Sequence, residues 1–259
     1  MSTDLWPTEL SRAYAPLGTP PLVWAFGSAA DGWDQPADAD FMLVWPDAPP
    51  AEDARRAALL GAGVALEDDA VRPGADRFRH GGLVLDVWHM PLARMEAVVA
   101  ALARGDVPPL TSRPEPDPLG LGFIVRHAVV MADPCGLAPR LRASVDPFPE
   151  PLLERLLGDF HQLRWGVVPE ARRALRRGHV LAFELLMVTW VRALVVVHFA
   201  AHGQFYPNHK WVSEWAERLG VPSGPVEAAL RCLARDRGPE ERLAALREAL
   251  ATGVSIGSR

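Results

Sequence analysis

Three aspartates and a Gly-Ser pair carry the chemistry that this sequence indicates. An apolar segment leads into Gly27 and Ser28, and after nine residues come Asp38 and Asp40. A third acid, Asp86, interrupts a later apolar run. A Gly-Ser turn that leaves a strand offers backbone N–H groups and a hydroxyl to an anion. Two acids at i and i+2 of a strand point to the same face, so the pattern predicts a place where phosphates and a divalent cation meet.

Each part of this pattern also has an ordinary structural explanation. A Gly-Ser pair after a strand is common turn chemistry, and two acids can belong to a solvated strand edge. However, the chain runs from Asp40 straight into Phe41-Met-Leu-Val-Trp45, and Asp86 has apolar neighbours on both sides. A carboxylate in such a strand seldom lacks a cation or a hydrogen-bond partner. The three acids together, in order and each on a predicted strand, favour a functional site.

The whole array resembles the nucleotidyltransferase superfamily related to DNA polymerase beta, whose pattern is Gly-Ser, a short spacer, Asp-x-Asp and a third acid on a neighbouring strand. The resemblance implies that Asp38, Asp40 and Asp86 bind a pair of Mg²⁺ ions, which prefer hard oxygen ligands. It implies that Gly27 and Ser28 bind the phosphates of ATP or another nucleoside triphosphate. Asp86 would also accept the proton of the attacking hydroxyl.

A second segment, from Gly203 to Trp211, places a lysine where a helix is predicted to begin. The sequence Tyr206-Pro-Asn-His-Lys210-Trp211 resembles a Tyr-Pro-x-x-Lys-Trp type segment in the helical half of a bacterial group that includes aminoglycoside- and lincosamide-like enzymes. The resemblance implies that Lys210 lies near the triphosphate. The alternative is an aromatic corner with a solvated lysine. We assign no role to Asn208 or His209.

Two further acids have two explanations each. Related antibiotic nucleotidyltransferases use an acid of the helical domain toward a cationic acceptor, which is one interpretation of Glu184, while an ion pair with an arginine of another helix is the other. The segment Asp133-Pro-Cys-Gly136 recurs in small nucleotidyltransferases of the antibiotic-modifying type, or is simply a turn. The histidines show no paired spacing that requires zinc, so we interpret them as structural.

Composition restricts the class of protein. The chain has 259 residues, a formal net charge of −5 and a pI near 5.9, which argue against a general nucleic-acid binder because phosphate-backbone affinity needs clustered Lys and Arg. Cys135 and Cys232 are far apart in the sequence, so we interpret them as free thiols. Free thiols and the absence of a visible secretory signal favour a cytoplasmic location of the protein. The apolar segment Val180 to Ala201 carries Glu184, Arg192 and His198, so we predict a helix of a bundle and no membrane partner.

Hydrophobic periodicity predicts an α/β (α+β) nucleotidyltransferase domain with a mixed sheet, residues 1–146, followed by an all-α helical bundle domain, residues 147–259. The predicted strands are Leu22 to Phe26, Ala39 to Trp45, Val64 to Glu67, Arg77 to Arg79, Leu83 to His89 and Phe123 to Ala132. The predicted helices are Thr8 to Leu17, Glu52 to Leu60, Leu92 to Ala103, Pro151 to Arg164, Glu170 to Arg177, Val180 to Ala201, His209 to Leu219, Pro225 to Arg235 and Glu240 to Ala251.

The sequence thus predicts an ATP-dependent and Mg²⁺-dependent enzyme that adenylylates the hydroxyl of a small molecule, as in aminoglycoside- or lincosamide-like compounds. An enzyme that nucleotidylates a protein or RNA acceptor, as some superfamily antitoxins do, is the first alternative. A degenerate module that binds nucleotide without catalysis is the second. The acceptor cannot be identified from the residues, and a homodimer is left open.

Overall fold

The computed structural model describes residues 8–27, 38–67, 69–80, 82–112, 114, 116–207, 209–234 and 236–253. The chain divides into two compact units. The first comprises Met1–Ala100 and Ile124–Ser144, and the second comprises Ala101–Phe123 and Val145–Arg259. The segment from 101 to 123 therefore belongs with the helical unit, while the predicted boundary at residue 146 stays a prediction.

The first unit is built on a mixed six-stranded sheet with the order β3-β4-β5-β2-β1-β6. The central strands β2 and β5 are parallel, and the other neighbouring pairs are antiparallel. Its strands are β1 (Leu22–Phe26), β2 (Asp38–Trp45), β3 (Val71–Arg72), β4 (Ala75–His80), β5 (Leu83–Pro91) and β6 (Val129–Ala132). The helices of this unit are α1 (Thr8–Tyr14, followed by a 3₁₀ turn at Ala15–Leu17), α2 (Glu52–Gly61), α3 (Leu92–Arg104, whose last turn joins the second unit) and α5 (Leu137–Ala143).

One face of the sheet is covered by α1 and α2. Alternate residues of β2, beginning with Ala39 and Phe41, pack in one apolar cluster with Ala13 of α1 and Leu59 of α2. Because side chains alternate along a strand, this packing turns Asp38 and Asp40 to the opposite face. The arrangement of the core thus decides which face carries the acids.

A charged network is buried on the helix-covered face. Asp76 accepts hydrogen bonds from Arg55 at 2.8 Å and from the Tyr14 hydroxyl at 2.6 Å. The Trp45 indole N–H donates to Nδ1 of His89 at 3.1 Å, so the His89 proton is on Nε2, which lies 2.8 Å from Asp76. Burial lowers the pKa of His89 and raises the pKa of Tyr14. Both groups are therefore neutral donors to a buried carboxylate.

The second unit consists of helices and connecting loops over its described residues. Its helices are α4 (Pro118–His127, which begins in this unit), α6 (Glu150–Arg176), α7 (Val180–Ala201), α8 (Val212–Arg218), α9 (Ser223–Arg231) and α10 (Pro239–Gly253). The fold class, a mixed sheet with helices followed by a helical region, is confirmed.

Four predicted elements are wrong. Phe123 to Ala132 is the end of α4 followed by β6. The helix begins earlier, at an Asp-Pro N-cap signal, because Asp117 accepts the backbone N–H of Leu119 and Pro118 is the first helical residue. Val64 to Glu67 forms no strand. The two helices predicted around Gly166 are one helix, α6, which continues through Gly166 and Pro169.

The continuity of α6 follows from its buried face. Glycine and proline inside a helix cost about 1 and 3 kcal/mol. The helix buries a set of residues at helical spacing on both sides of this point, which are Leu152, Leu156, Phe160, Val167, Ala171 and Ala174. At about 1.5–3 kcal/mol per large buried side chain, this packing outweighs the two unfavourable residues.

The helix α7 is long and apolar enough to cross a membrane by length and composition, and half of its apolar window is buried inside the molecule. Its ionisable residues have partners in the protein. Arg192 contacts Asp117 at 2.6 Å and donates to the carbonyl of Leu110 at 3.0 Å. Glu184 pairs with Arg242 of α10. These contacts favour the predicted role as a bundle helix.

Candidate functional site

The predicted acids lie on the face of the sheet that α1 and α2 do not cover, which we call the acid face. Asp40 of β2 is directly opposite Asp86 of β5, and Asp38 is opposite Val84. Adjacent strands are about 4.8 Å apart, so the carboxylates of Asp40 and Asp86 are neighbours across the strand pair. Asp38 is two residues along β2 on the same face. The structure therefore brings the three predicted acids to one end of one face.

Gly27 lies against the carboxylate of Asp40. It follows Phe26, which pairs with Asp40, and it adopts a φ of 73° in the left-handed region. A Cβ atom at Gly27 would collide with Oδ2 of Asp40 and would lie 3.2 Å from its Cγ. Glycine is thus favoured at this position by its conformation, and a larger residue would displace the Asp40 carboxylate. Ser28, the other predicted phosphate-binding residue, lies outside the described residues.

An arginine that the sequence argument missed faces Asp86. Arg77 of β4 is directly opposite Asp86 of β5, and its Nη1 lies 3.4 Å from the Asp86 Oδ2. The Arg77 side chain is 56% exposed and that of Asp86 15% exposed. The signal was available, because the dipeptide Gly81-Gly82 is typical of a two-residue hairpin turn, and such a turn after His80 predicts this register.

The donor set fits Mg²⁺ better than any softer metal. Three carboxylates supply hard oxygen atoms, and Mg²⁺ commonly takes one or two carboxylates together with several waters. Among the described residues, no group of three or more His, Cys, Asp or Glu side chains is gathered closely enough to hold a metal. Asp40 and Asp86, which face each other on β2 and β5, are the two predicted ligands that could share a cation.

Lys210 belongs to the second unit. It lies in a 3₁₀ turn, His209–Trp211, that precedes α8. The residues before it form a packed corner, since Phe205 and Tyr206 are buried and Phe205 contacts Phe148 with ring centroids 4.7 Å apart. Lys210 itself is exposed. Asn208 and the His209 side chain lie outside the described residues, so the predicted role of Lys210 stays a prediction.

Glu184 has a structural partner. Its carboxylate accepts two hydrogen bonds from the Arg242 guanidinium, at 2.7 and 2.8 Å, and Arg242 also donates to the carbonyl of Cys232. Hydrogen bonding to Glu184 raises the pKa of Arg242. This pair corresponds to the structural alternative that the sequence left open.

Asp133 also has a structural role. Its carboxylate accepts the backbone N–H groups of Leu137 at 2.7 Å and Ala138 at 2.9 Å, at the beginning of α5. An acid that satisfies the first N–H groups of a helix is a capping residue. The Asp-Pro-Cys-Gly segment is therefore a turn that begins a helix.

Comparison with known proteins gives a match to one family profile and matches to solved structures. The profile of a family described as "Domain of unknown function (DUF4037)" matches residues 122–212. The crystal structure of a nucleotidyltransferase-like protein from Exiguobacterium sibiricum 255-15 is similar over 98% of this chain and 76% of that chain, with 14% sequence identity and a TM-score of 0.44. No curated protein matches. At this identity and TM-score the likeness carries no argument about activity.

Proposed function

We propose that the chain is a Mg²⁺-dependent nucleotidyltransferase that transfers AMP from ATP to a hydroxyl group of a small molecule in the cytoplasm. One observation supports this function above the others. Asp40 and Asp86 face each other on parallel strands, and the Gly27 backbone packs against the Asp40 carboxylate. Two facing carboxylates beside a glycine turn can place a cation and a phosphate next to each other.

In this mechanism Asp38, Asp40 and Asp86 would hold Mg²⁺, which, when bound, neutralises charge on the transferring phosphate. Gly27 and Ser28 would donate hydrogen bonds to the phosphates. Asp86 would accept the proton of the acceptor hydroxyl as that oxygen bonds to the α-phosphorus. Lys210 would add a positive charge toward the triphosphate.

A second candidate function is a module that binds nucleotide without catalysis. The contact between Arg77 and Asp86 favours it, because a guanidinium beside this acid competes with a metal ion for the same carboxylate. The two candidates differ in one measurable respect. An enzyme releases pyrophosphate when it meets a suitable acceptor, whereas a module binds the nucleotide and leaves it intact.

The test is a screen for pyrophosphate release with each nucleoside triphosphate, Mg²⁺ and a panel of hydroxyl-bearing small molecules. We expect release with ATP, and we expect Asp38→Ala and Asp40→Ala to abolish it while the protein remains folded. Asp47→Ala is the matched control, because Asp47 is an exposed aspartate just after β2. Release by Asp40→Ala at the rate of the unaltered protein would refute the metal site. Bound nucleotide with no release would favour the module.

A further inference from the structure

Two arginines flank the acids on the acid face. Arg77 and Arg79 of β4 pair with Asp86 and Val84 of β5, and paired residues of neighbouring strands lie on the same face. Phe78, between them, belongs to the core cluster on the opposite face. We call Arg77 and Arg79 the arginine pair. It lies beside the acids on the β4 side of the sheet.

Most N–H donors of the arginine pair are available to a ligand. Arg77 contacts Asp86 at 3.4 Å through one nitrogen and is more than half exposed. Within the part of the chain that the structure describes, the exposed guanidinium of Arg79 makes no hydrogen bond or ion pair. Residues at i and i+2 of a strand are about 6.6 Å apart, so one phosphate group can contact both guanidinium groups.

The position of the arginine pair relative to Gly27 decides which substrate it would meet. The strand order is β4-β5-β2-β1, so Gly27 at the end of β1 and the arginine pair on β4 lie on opposite sides of the acids, about 14 Å apart at three strand spacings. In an in-line displacement, the attacking oxygen approaches from the side opposite the leaving group. If the leaving pyrophosphate lies toward Gly27, the acceptor approaches from the β4 side.

We propose that the arginine pair binds the acceptor, and that the acceptor is a small molecule with a phosphate group near its reactive hydroxyl. This inference rests on the proposed function. In the transfer, the acceptor oxygen forms a bond to the α-phosphorus of the nucleoside triphosphate. The bond from that phosphorus to the bridging oxygen breaks, pyrophosphate leaves with the electron pair, and the hydroxyl proton moves to Asp86. Arg77 and Arg79 would hold the acceptor phosphate without taking part in these bond changes.

The experiment compares matched probes. Calorimetry measures binding of glycerol 3-phosphate against glycerol and of ribose 5-phosphate against ribose, for the unaltered protein, for Arg77→Gln/Arg79→Gln and for Arg12→Gln. Arg12 is the control because it is an exposed arginine on α1, which packs on the opposite face. We expect each phosphate-bearing probe to bind at least about tenfold more tightly than its neutral partner, and the double variant to lose about tenfold to hundredfold of that affinity. Arg12→Gln should lose none of it, and the affinity for ATP should stay the same in all three proteins. The affinity for Mg²⁺ should not fall in the double variant, because Arg77 competes with the ion for Asp86.

Four results would overturn the proposal. The first is equal binding of neutral and phosphate-bearing probes, and the second is a preference that survives in Arg77→Gln/Arg79→Gln. The third is an equal loss of ATP affinity in that variant, which would assign the arginine pair to the triphosphate. The fourth is tighter binding of a short RNA oligonucleotide than of either sugar phosphate. The calorimetry measures binding without turnover. Absence of pyrophosphate release would therefore count against the proposed function, while the calorimetry would still test whether the arginine pair binds phosphate.

Discussion

Replacing Gly27 by alanine tests the contact between the glycine turn and the site carboxylate. The substitution adds a Cβ atom to a residue with a φ of 73°, a conformation that costs alanine about 1–2 kcal/mol. Stiffening of the unfolded chain offsets about 0.4–1 kcal/mol of this. The strain alone should therefore lower the free energy of unfolding by roughly 0.5–1 kcal/mol.

The collision with Asp40 adds a second effect. The new Cβ atom would overlap Oδ2 and would lie 3.2 Å from Cγ, so the whole carboxylate must turn away. An off-rotamer side chain costs about 0.5–1.5 kcal/mol. The Asp40 Cβ atom lies 3.5 Å from the new atom, an ordinary contact, so Asp40→Ala should remove the conflict. Gly27→Ala should thus cost about 0.5–1.5 kcal/mol more in the unaltered protein than in Asp40→Ala.

The assay is urea unfolding of Gly27→Ala, Asp40→Ala and the double variant, with Gly63→Ala as the control. Gly63 has a φ of 80° and no neighbour within 4 Å of an added Cβ atom, so its substitution reports strain alone. Magnesium binding and pyrophosphate release by Gly27→Ala should both fall with the displaced carboxylate. If Gly27→Ala and Gly63→Ala cost the same and magnesium binding is unchanged, the Gly27 turn does not position Asp40.

Three further predictions concern the acids and the buried network. Asp76→Ala should lower the free energy of unfolding by about 3–5 kcal/mol in urea unfolding, because it leaves the buried Arg55 without its carboxylate. Apolar replacement of both residues should recover only the part due to Arg55, because the Tyr14 hydroxyl and the His89 Nε2–H still lose their acceptor. Burial lowers the pKa of His89, so the contribution of neutral His89 to the free energy of unfolding is complete above about pH 6.5. Below that value the contribution falls by up to about 1.4 kcal/mol per pH unit. In unfolding experiments at several pH values, the free energy of unfolding of His89→Gln should decline less steeply toward low pH than that of the unaltered protein. Asp86→Asn should keep the nucleotide affinity measured by calorimetry and slow transfer by about 10²–10⁴-fold in single turnovers. If the affinity falls together with the rate, Asp86 is chiefly a metal ligand. Glu184→Gln, in contrast, should destabilise the protein and leave the nucleotide affinity unchanged.

The sequence predicts those elements whose signals are local. The strand Leu22–Phe26 and the helix Val180–Ala201 have the predicted bounds, because each is a predominantly apolar run that ends at a glycine turn or a polar residue. The common face of Asp38 and Asp40 follows from the two-residue period of one strand. The helix across Gly166 was not predicted, because its continuity depends on packing against other helices of the same unit.

The buried network shows what local signals leave out. Tyr14, Arg55 and Asp76 are far apart in the sequence and belong to two helices and a strand. Their hydrogen bonds depend on how α1 and α2 pack on the sheet, and no period within one segment encodes that packing. His89 was interpreted as structural from its spacing, but its partners Asp76 and Trp45 are visible in the fold alone.

The contrast between Asp86 and Glu184 explains why an acid in an apolar segment does not by itself identify a site. Both residues needed a cationic or hydrogen-bonding partner on the same physical argument. Glu184 receives two short hydrogen bonds from the buried Arg242, a bidentate pair that uses both carboxylate oxygens. Asp86 receives one 3.4 Å contact from an exposed arginine, which does not use the capacity of its carboxylate. An acid whose partner is weak and exposed can exchange that partner for a ligand, and this difference favours Asp86 for chemistry and Glu184 for stability.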